Sequence, residues 1–236
     1  MDIEKKIIID NLSLKFSLNS INYRSLRHKI INLLLKNKEN KVETYTALKN
    51  INLNFKTGDR VALKGHNGAG KTSLLRCLAN VYEPTQGKIK ISGSVVSFID
   101  ITMGMNLEAT GRENIFLRGI IGGLRISEIK KIEEEVINFA NLGEFIDQPI
   151  KTYSSGMITR LGFSILTTFN AEIILMDEWL STGDAEFQEK AQERIFKIID
   201  KSHIFIMASH SIDLINKICN KIVTLDNGKV IKVENI

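Results

Sequence analysis

Cysteine is scarce in this chain: two residues of 236, Cys77 and Cys219, far apart in sequence. That excludes a disulfide-stapled scaffold, and no metal-ligand spacing accompanies them. Both thiols are expected to be reduced and buried, as in a cytosolic protein. Long apolar runs are missing too. No stretch reaches the roughly 18 residues that a membrane-spanning helix needs. The N-terminus, MDIEKKIIIDN, carries acidic residues and too short an apolar run for a secretory signal. Internal repeats and low-complexity segments are absent. Charge of one sign is only mildly in excess, at +5 with a pI near 9.1. This permits an anionic partner (nucleotide, membrane surface or nucleic acid) and selects none of them.

The length suits one large domain, or a core with a subdomain, and is ample for a buried core. KIIIDNLSLKF (6–16) alternates like a strand, and ALKNINLNF (47–55) returns to strand. Between them, RSLRHKIINLLLK (24–36) predicts a helix with Ser25 as its cap and one apolar stripe bordered by basic residues. KIKISG and SVVSFI suggest short strands, and residues 100–110 are irregular. From about 111 to 168 the pattern turns helical, with Ser127 as the expected cap of SEIKKIEEEVINFANL. AEIILMDE follows as a buried strand and HIFIMAS as a strand, each followed by a helical segment, and KIVTLDNGKVIKV as a hairpin turning at Asn227-Gly228. Strands alternating with helices imply a mainly parallel sheet covered on both faces. The fold class expected is α/β: a mainly parallel core (about 1–99 and 169–236) with an N-terminal antiparallel part, a helical insert (about 100–168) and an amphipathic insertion at 17–44.

The densest signal is GHNGAGKTS, from Gly65 to Ser73. Its spacing fits G-x-x-x-x-G-K-[ST], whose mechanical use is a phosphate cradle. The loop Gly65, His66, Asn67, Gly68, Ala69, Gly70 would turn backbone N–H groups inward on an anion. A helix starting near Gly70 adds its positive end, Lys71 reaches the β- and γ-phosphates, and the hydroxyl of Thr72, beside Ser73, sits on Mg²⁺. A plain surface turn is the competing reading. Against it, RVALK before the loop is strand-like, and Leu74, Leu75, Leu78 and Val81 after it fall at helical spacing.

Further stretches narrow the chemistry. IILMDE ends a buried strand in two carboxylates. Asp177 can serve a metal ion beside Thr72, and Glu178 can polarise an attacking water; an ordinary acidic strand end is the alternative. YSSGM (153–157) precedes a helix, so its small residues leave N–H groups and hydroxyls for an anion, or merely cap the helix. His210, in IMASHS, either reaches a γ-phosphate from the sheet edge or is structural. LSTGD (180–184) lies directly behind Glu178.

Taken in order, phosphate loop, helical insert, YSSGM, acidic strand and histidine resemble the ATP-binding-cassette ATPases, built on a RecA-like core, over nearly the whole chain. The resemblance implies two copies facing head to tail, with ATP between the phosphate loop of one and Ser154, Ser155 and Gly156 of the other. It makes Glu178, His210 and Lys71 catalytic and Asp184 a link between the two sites. Phe16 would stack on adenine, or be a core strand residue; Tyr45 and Tyr23 are weaker candidates. A narrower resemblance rests on EATGRENIFLRG, YSSGM with RLGFSI, and DEWLSTGDAEFQEK. These look like the ATPase subunits that export lipopolysaccharide O-antigen, capsule or teichoic acid. That group also carries extra residues before the phosphate loop, as at 17–44, near the membrane.

The resemblance therefore implies ATP and Mg²⁺ as cofactors and a separate transmembrane permease as partner. The cargo would be a lipid-linked polysaccharide and the location the cytoplasmic face of the inner membrane, with no nucleic acid. Whether the basic helix of 17–44 touches lipid, a partner or its own core stays open. Two features depart from the family: Asp100 stands where a metal-contacting glutamine is usual, and Lys64 replaces an apolar residue. The chain ends soon after its hairpin, so a carbohydrate-binding domain beyond the ATPase is not expected. Two other readings remain: a cassette ATPase exporting a lipid or drug, and a soluble nucleic-acid-associated one. The latter usually has paired cassettes or long coiled-coil insertions, which this sequence lacks.

Overall fold

A computed structural model describes residues 5–17, 44–178 and 185–236. The amphipathic segment 18–43, with Tyr23, and the LSTGD run with Asp184 lie outside the described residues.

Two sheets carry the fold. Strands β1 (Lys6–Ser17), β2 (Thr44–Lys56) and β4 (Gln86–Ser92) form an antiparallel sheet in the order β2-β1-β4. Strands β5 (Val95–Ser97), β6 (Ile173–Asp177), β7 (Ile204–Ala208), β3 (Arg60–Lys64), β8 (Lys221–Asp226) and β9 (Lys229–Asn235) form the second, in that spatial order. All its neighbours are parallel except the β8–β9 hairpin. The α/β reading holds, and both sheets have the sense expected from the sequence.

Strands β6 and β7, inside the sheet, are buried on both faces, so Ile173–Met176 and Ile204–Ala208 are continuous apolar runs. Alternation decides which core each residue enters. Val61, Leu63, Ile173, Leu175, Ile204 and Ile206 join β1, β2 and the helix α1 (Lys71–Leu78) in one cluster. Ala62, Ile174, Met176, Phe205 and Met207 join a second, beneath α5 (Ala185–Lys201) and α6 (Ile212–Ile218). A third cluster holds together α2 (Gly111–Ile121), α3 (Ile126–Ala140) and α4 (Ser155–Leu166), through Ile115, Val136, Ile146, Leu161 and Ile165.

Cys77 and Cys219 are free and buried, as expected. Burial pushes the Cys77 thiol up to about 11 and that of Cys219 to about 12. Two local expectations are corrected. Helix α1 stops at Leu78 because Asn80 takes a left-handed conformation, φ 58°, and Val81 is left 41% exposed. Ser127 is not a cap. The cap of α3 is Arg125, whose backbone N–H donates to the Glu128 carboxylate at 2.7 Å, and Ser127 sits in the first turn.

Candidate functional site: the loop after β3

The site begins with strand order. β3 lies beside β7, and β7 beside β6, with Leu63 and Asp177 both level with Ala208. The loop after β3, the carboxylates after β6 and the segment after β7 therefore share the carboxyl edge of the sheet, where ligands of open α/β sheets bind. Gly65 is required there by contact as much as by conformation. A Cβ at Gly65, φ 153°, would lie 2.3 Å from the Leu225 carbonyl oxygen on β8 and 2.9 Å from the Ala69 Cβ. The loop is thus pressed against the sheet and directed back over its edge.

At the other end of the loop, Gly70 caps α1 with φ 107° and no side chain. No side-chain cap bond and no acidic residue in the first turn answer the helix's positive end. The contrast within the fold is instructive. Helix α2 has a full capping box from Thr110 and Glu113, and α6 is capped by Ser211. Helix α1 alone of these three has no side-chain cap, an arrangement that can accept an anion. Leu74, Leu75 and Leu78 anchor it, fully or almost fully buried, each contributing about 1.5–3 kcal/mol.

A pocket of about 190 Å³ gathers Tyr45, Asn67, Gly68, Gly70, Lys71, Thr72, Ser73, Asp177 and Glu178. Lys71 is 8% exposed, and its Nζ donates to the carbonyls of Gly65 at 2.7 Å and His66 at 3.2 Å. The ammonium is thereby held inside the curl of the loop. Glu178 has a left-handed backbone, φ 63°, and its N–H donates to the Ala208 carbonyl at 2.9 Å. Among the described residues no three carboxylates, histidines or cysteines form a self-sufficient metal cage. The donors present, a threonine hydroxyl and one aspartate, instead suit Mg²⁺. That ion keeps several waters and takes few protein ligands when phosphates supply the rest.

Not every predicted residue reaches this pocket. Phe16 packs against the core, its ring 5.3 Å from and edge-on to Tyr82; its cross-strand neighbour Tyr45 is the aromatic that lines the pocket. His210 is exposed beyond the end of β7 and outside the lining. Ser154 and Ser155 are exposed at the start of α4, where the Ser154 hydroxyl accepts the Met157 N–H at 3.2 Å. Asp100 lies elsewhere. It accepts the backbone and hydroxyl of Thr102 at 3.1 and 2.8 Å and lines a separate cavity of about 440 Å³ with Met103, Arg118 and Ile121.

That second cavity was not legible in the sequence. Arg118 is 7% exposed there, and burial pushes its guanidinium below its ordinary value against the opposing pull of Asp100. Phe116, Leu117, Ile120 and Ile121 on the same helix are 36–69% exposed. The only signal was four apolar residues around Arg118 at helical spacing.

Comparison with known proteins points to one family. A family model described as ABC transporter matches residues 48–181. The chain is 39% identical to the O-antigen export system ATP-binding protein RfbE of Yersinia enterocolitica, over 95% of each chain. It is 39% identical to the O-antigen export system ATP-binding protein RfbB of Klebsiella pneumoniae, over 79% of this chain and 76% of that protein. To the teichoic acids export ATP-binding protein TagH of Lactococcus lactis it is 38% identical over 95% of its length, spanning about half (47%) of that protein. In fold it matches a dimeric ATP-binding cassette in a post-hydrolysis state bound to ADP and Pi, with TM-score 0.71 and 21% identity over 97% of this chain and 98% of the other.

Proposed function

The chain belongs to the ABC transporter family, and on that premise we propose that it is the ATP-hydrolysing subunit of an exporter of lipid-linked polysaccharide. The observation that carries the reading is the convergence of an uncapped helix start, a buried lysine and two carboxylates in one pocket. Its relatives' roles in O-antigen and teichoic acid export supply the class of cargo.

In this reading the N–H groups of residues 66–72 and the Lys71 ammonium take the phosphates, and Tyr45 offers its exposed face to the base. Thr72 and Asp177 would hold Mg²⁺, which when bound offsets phosphate charge and fixes the oxygens. Glu178 accepts the proton of the attacking water, and His210, on the neighbouring strand end, donates toward the γ-phosphate. Ser154–Gly156, outside the lining of their own chain's pocket, would complete the site of a second copy. Closure on ATP and opening after hydrolysis then bias a two-state motion.

The permease is proposed to dock on the cavity of Asp100 and Arg118 and the exposed stripe of α2. No helix of the described residues is long and apolar enough to cross a membrane. Replacing Ile121, 69% exposed, with glutamate is expected to lower co-purification with the permease at least tenfold while leaving ATP affinity unchanged. Unaltered co-purification removes α2 from the interface.

The export reading is tested in cells. Without the chain, lipid-linked polymer is expected to accumulate on the cytoplasmic side, with recovery on return of the wild type and none with Glu178→Gln. Normal surface polymer, or accumulation of a different lipid, overturns the assigned cargo. Salt-sensitive DNA or RNA binding without membrane association overturns the transporter role.

A further inference from the structure

The side chain of the loop's second residue is built into a contact that phosphate binding through the backbone does not require. His66 and Asp226 are 160 positions apart, yet Nε2 of the ring lies 3.0 Å from Asp226 Oδ1. Its Nδ1 lies 2.7 Å from the Asn67 carbonyl oxygen. Both oxygens are acceptors. The two contacts are hydrogen bonds together only when each ring nitrogen carries a proton. The charged neighbours are Asp226 on β8 and Lys71, whose Nζ reaches the His66 carbonyl at 3.2 Å. Lys64 adjoins the loop in sequence, and Lys229 is the backbone register partner of Asp226 across the hairpin.

The carboxylate is itself held. Asn227 Nδ2 donates to Asp226 Oδ2 at 3.1 Å. The Gly228 N–H donates to the Ala69 carbonyl at 3.0 Å, and its carbonyl accepts the Lys49 N–H at 2.8 Å. The hairpin turn is therefore fastened both to the phosphate loop and to β2, the strand that carries Tyr45.

The consequence lies in the peptide that follows. The Asn67 carbonyl shares its plane with the Gly68 N–H, and in a trans peptide the two point in opposite directions. Gly68 lines the phosphate pocket. Pinning the Asn67 oxygen to the ring thus sets the direction of one donor of the cradle. As an isolated surface ion pair, His66–Asp226 would contribute little, since the two side chains are 55% and 46% exposed. Its effect is to order the loop before nucleotide arrives.

We infer that His66 and Asp226 are a positioning pair that orients the Asn67–Gly68 peptide of the phosphate loop toward nucleotide. This rests on the reading of the loop as the ATP phosphate site. The test is a double-mutant cycle in the full chain, titrated with Mg-ATP, with turnover measured at saturation. His66→Ala and Asp226→Ala are each expected to raise Kd and KM about five- to tenfold with kcat nearly unchanged, and the double variant to lose no more than either alone. Asp226→Asn, which keeps an accepting oxygen, is expected to recover most of the affinity. Unchanged Kd, or losses that multiply, overturn the pair. If the wild type itself does not bind ATP, the phosphate-site reading falls and the pair with it. If it binds and the variants match it, only the pair falls.

Discussion

Replacing Glu178 with glutamine is expected to leave Mg-ATP binding intact and to reduce turnover by about 10²–10⁴-fold, the usual contribution of a positioned general base. Geometry argues for so selective an effect. Glu178 stands at the rim of the pocket, one residue past Asp177, with its N–H tied to the Ala208 carbonyl, so its placement comes from the sheet rather than from its own carboxylate. Glutamine is nearly isosteric and keeps the φ of 63° that the position imposes. Removing one negative charge beside a triphosphate does not weaken the ground state, whereas water loses its proton acceptor. The nucleotide-loaded form should persist as a pair of chains. Phosphate release and light scattering in Mg-ATP check both halves: turnover within a few-fold of wild type removes Glu178 from the chemistry, and a monomer under these conditions removes the head-to-tail arrangement.

Lys71→Ala is expected to weaken ATP binding by about 10- to 100-fold, the scale of one or two charge-assisted hydrogen bonds. Lys71 is buried, and its ammonium donates to the Gly65 and His66 carbonyls, in the loop it would serve. Alanine removes both the cation that would meet the phosphates and the tie to the Gly65 and His66 carbonyls. Titration with Mg-ATP measures the loss, and affinity unchanged by the substitution counts heavily against the cradle. Arginine is not an expected rescue, because its planar fork cannot occupy the space of a single ammonium inside the curl.

Much of this was legible in the sequence where the relevant order is local. The phosphate loop announces itself because spacing within nine residues decides its shape, and β6 because a strand buried on both faces must be apolar throughout. The Asn227-Gly228 turn was visible for the same reason. Long-range order was hidden. Phe16 is close to Tyr45 in the β1–β2 register, but that register shifts three times, between Ile9 and Leu12, Leu12 and Leu14, and Leu14 and Lys15. Each irregularity can change which face a residue takes, so alternation along β1 does not tell which ring meets the pocket. The burial of Arg118 and the contact of His66 with Asp226 depend on packing between distant segments. The end of α1 at Leu78 depends on a single asparagine adopting a conformation its neighbours did not forecast.

The two sequestered sulfurs have a practical consequence. Cys77 rides on the helix that follows the loop and Cys219 on the segment just after α6, and at neutral pH neither forms much thiolate. An alkylating reagent can label them only when the surrounding structure opens. Labelling rate therefore serves as an intrinsic clock of unfolding. Any ligand that binds only the closed protein must slow that clock, in proportion to its concentration above Kd.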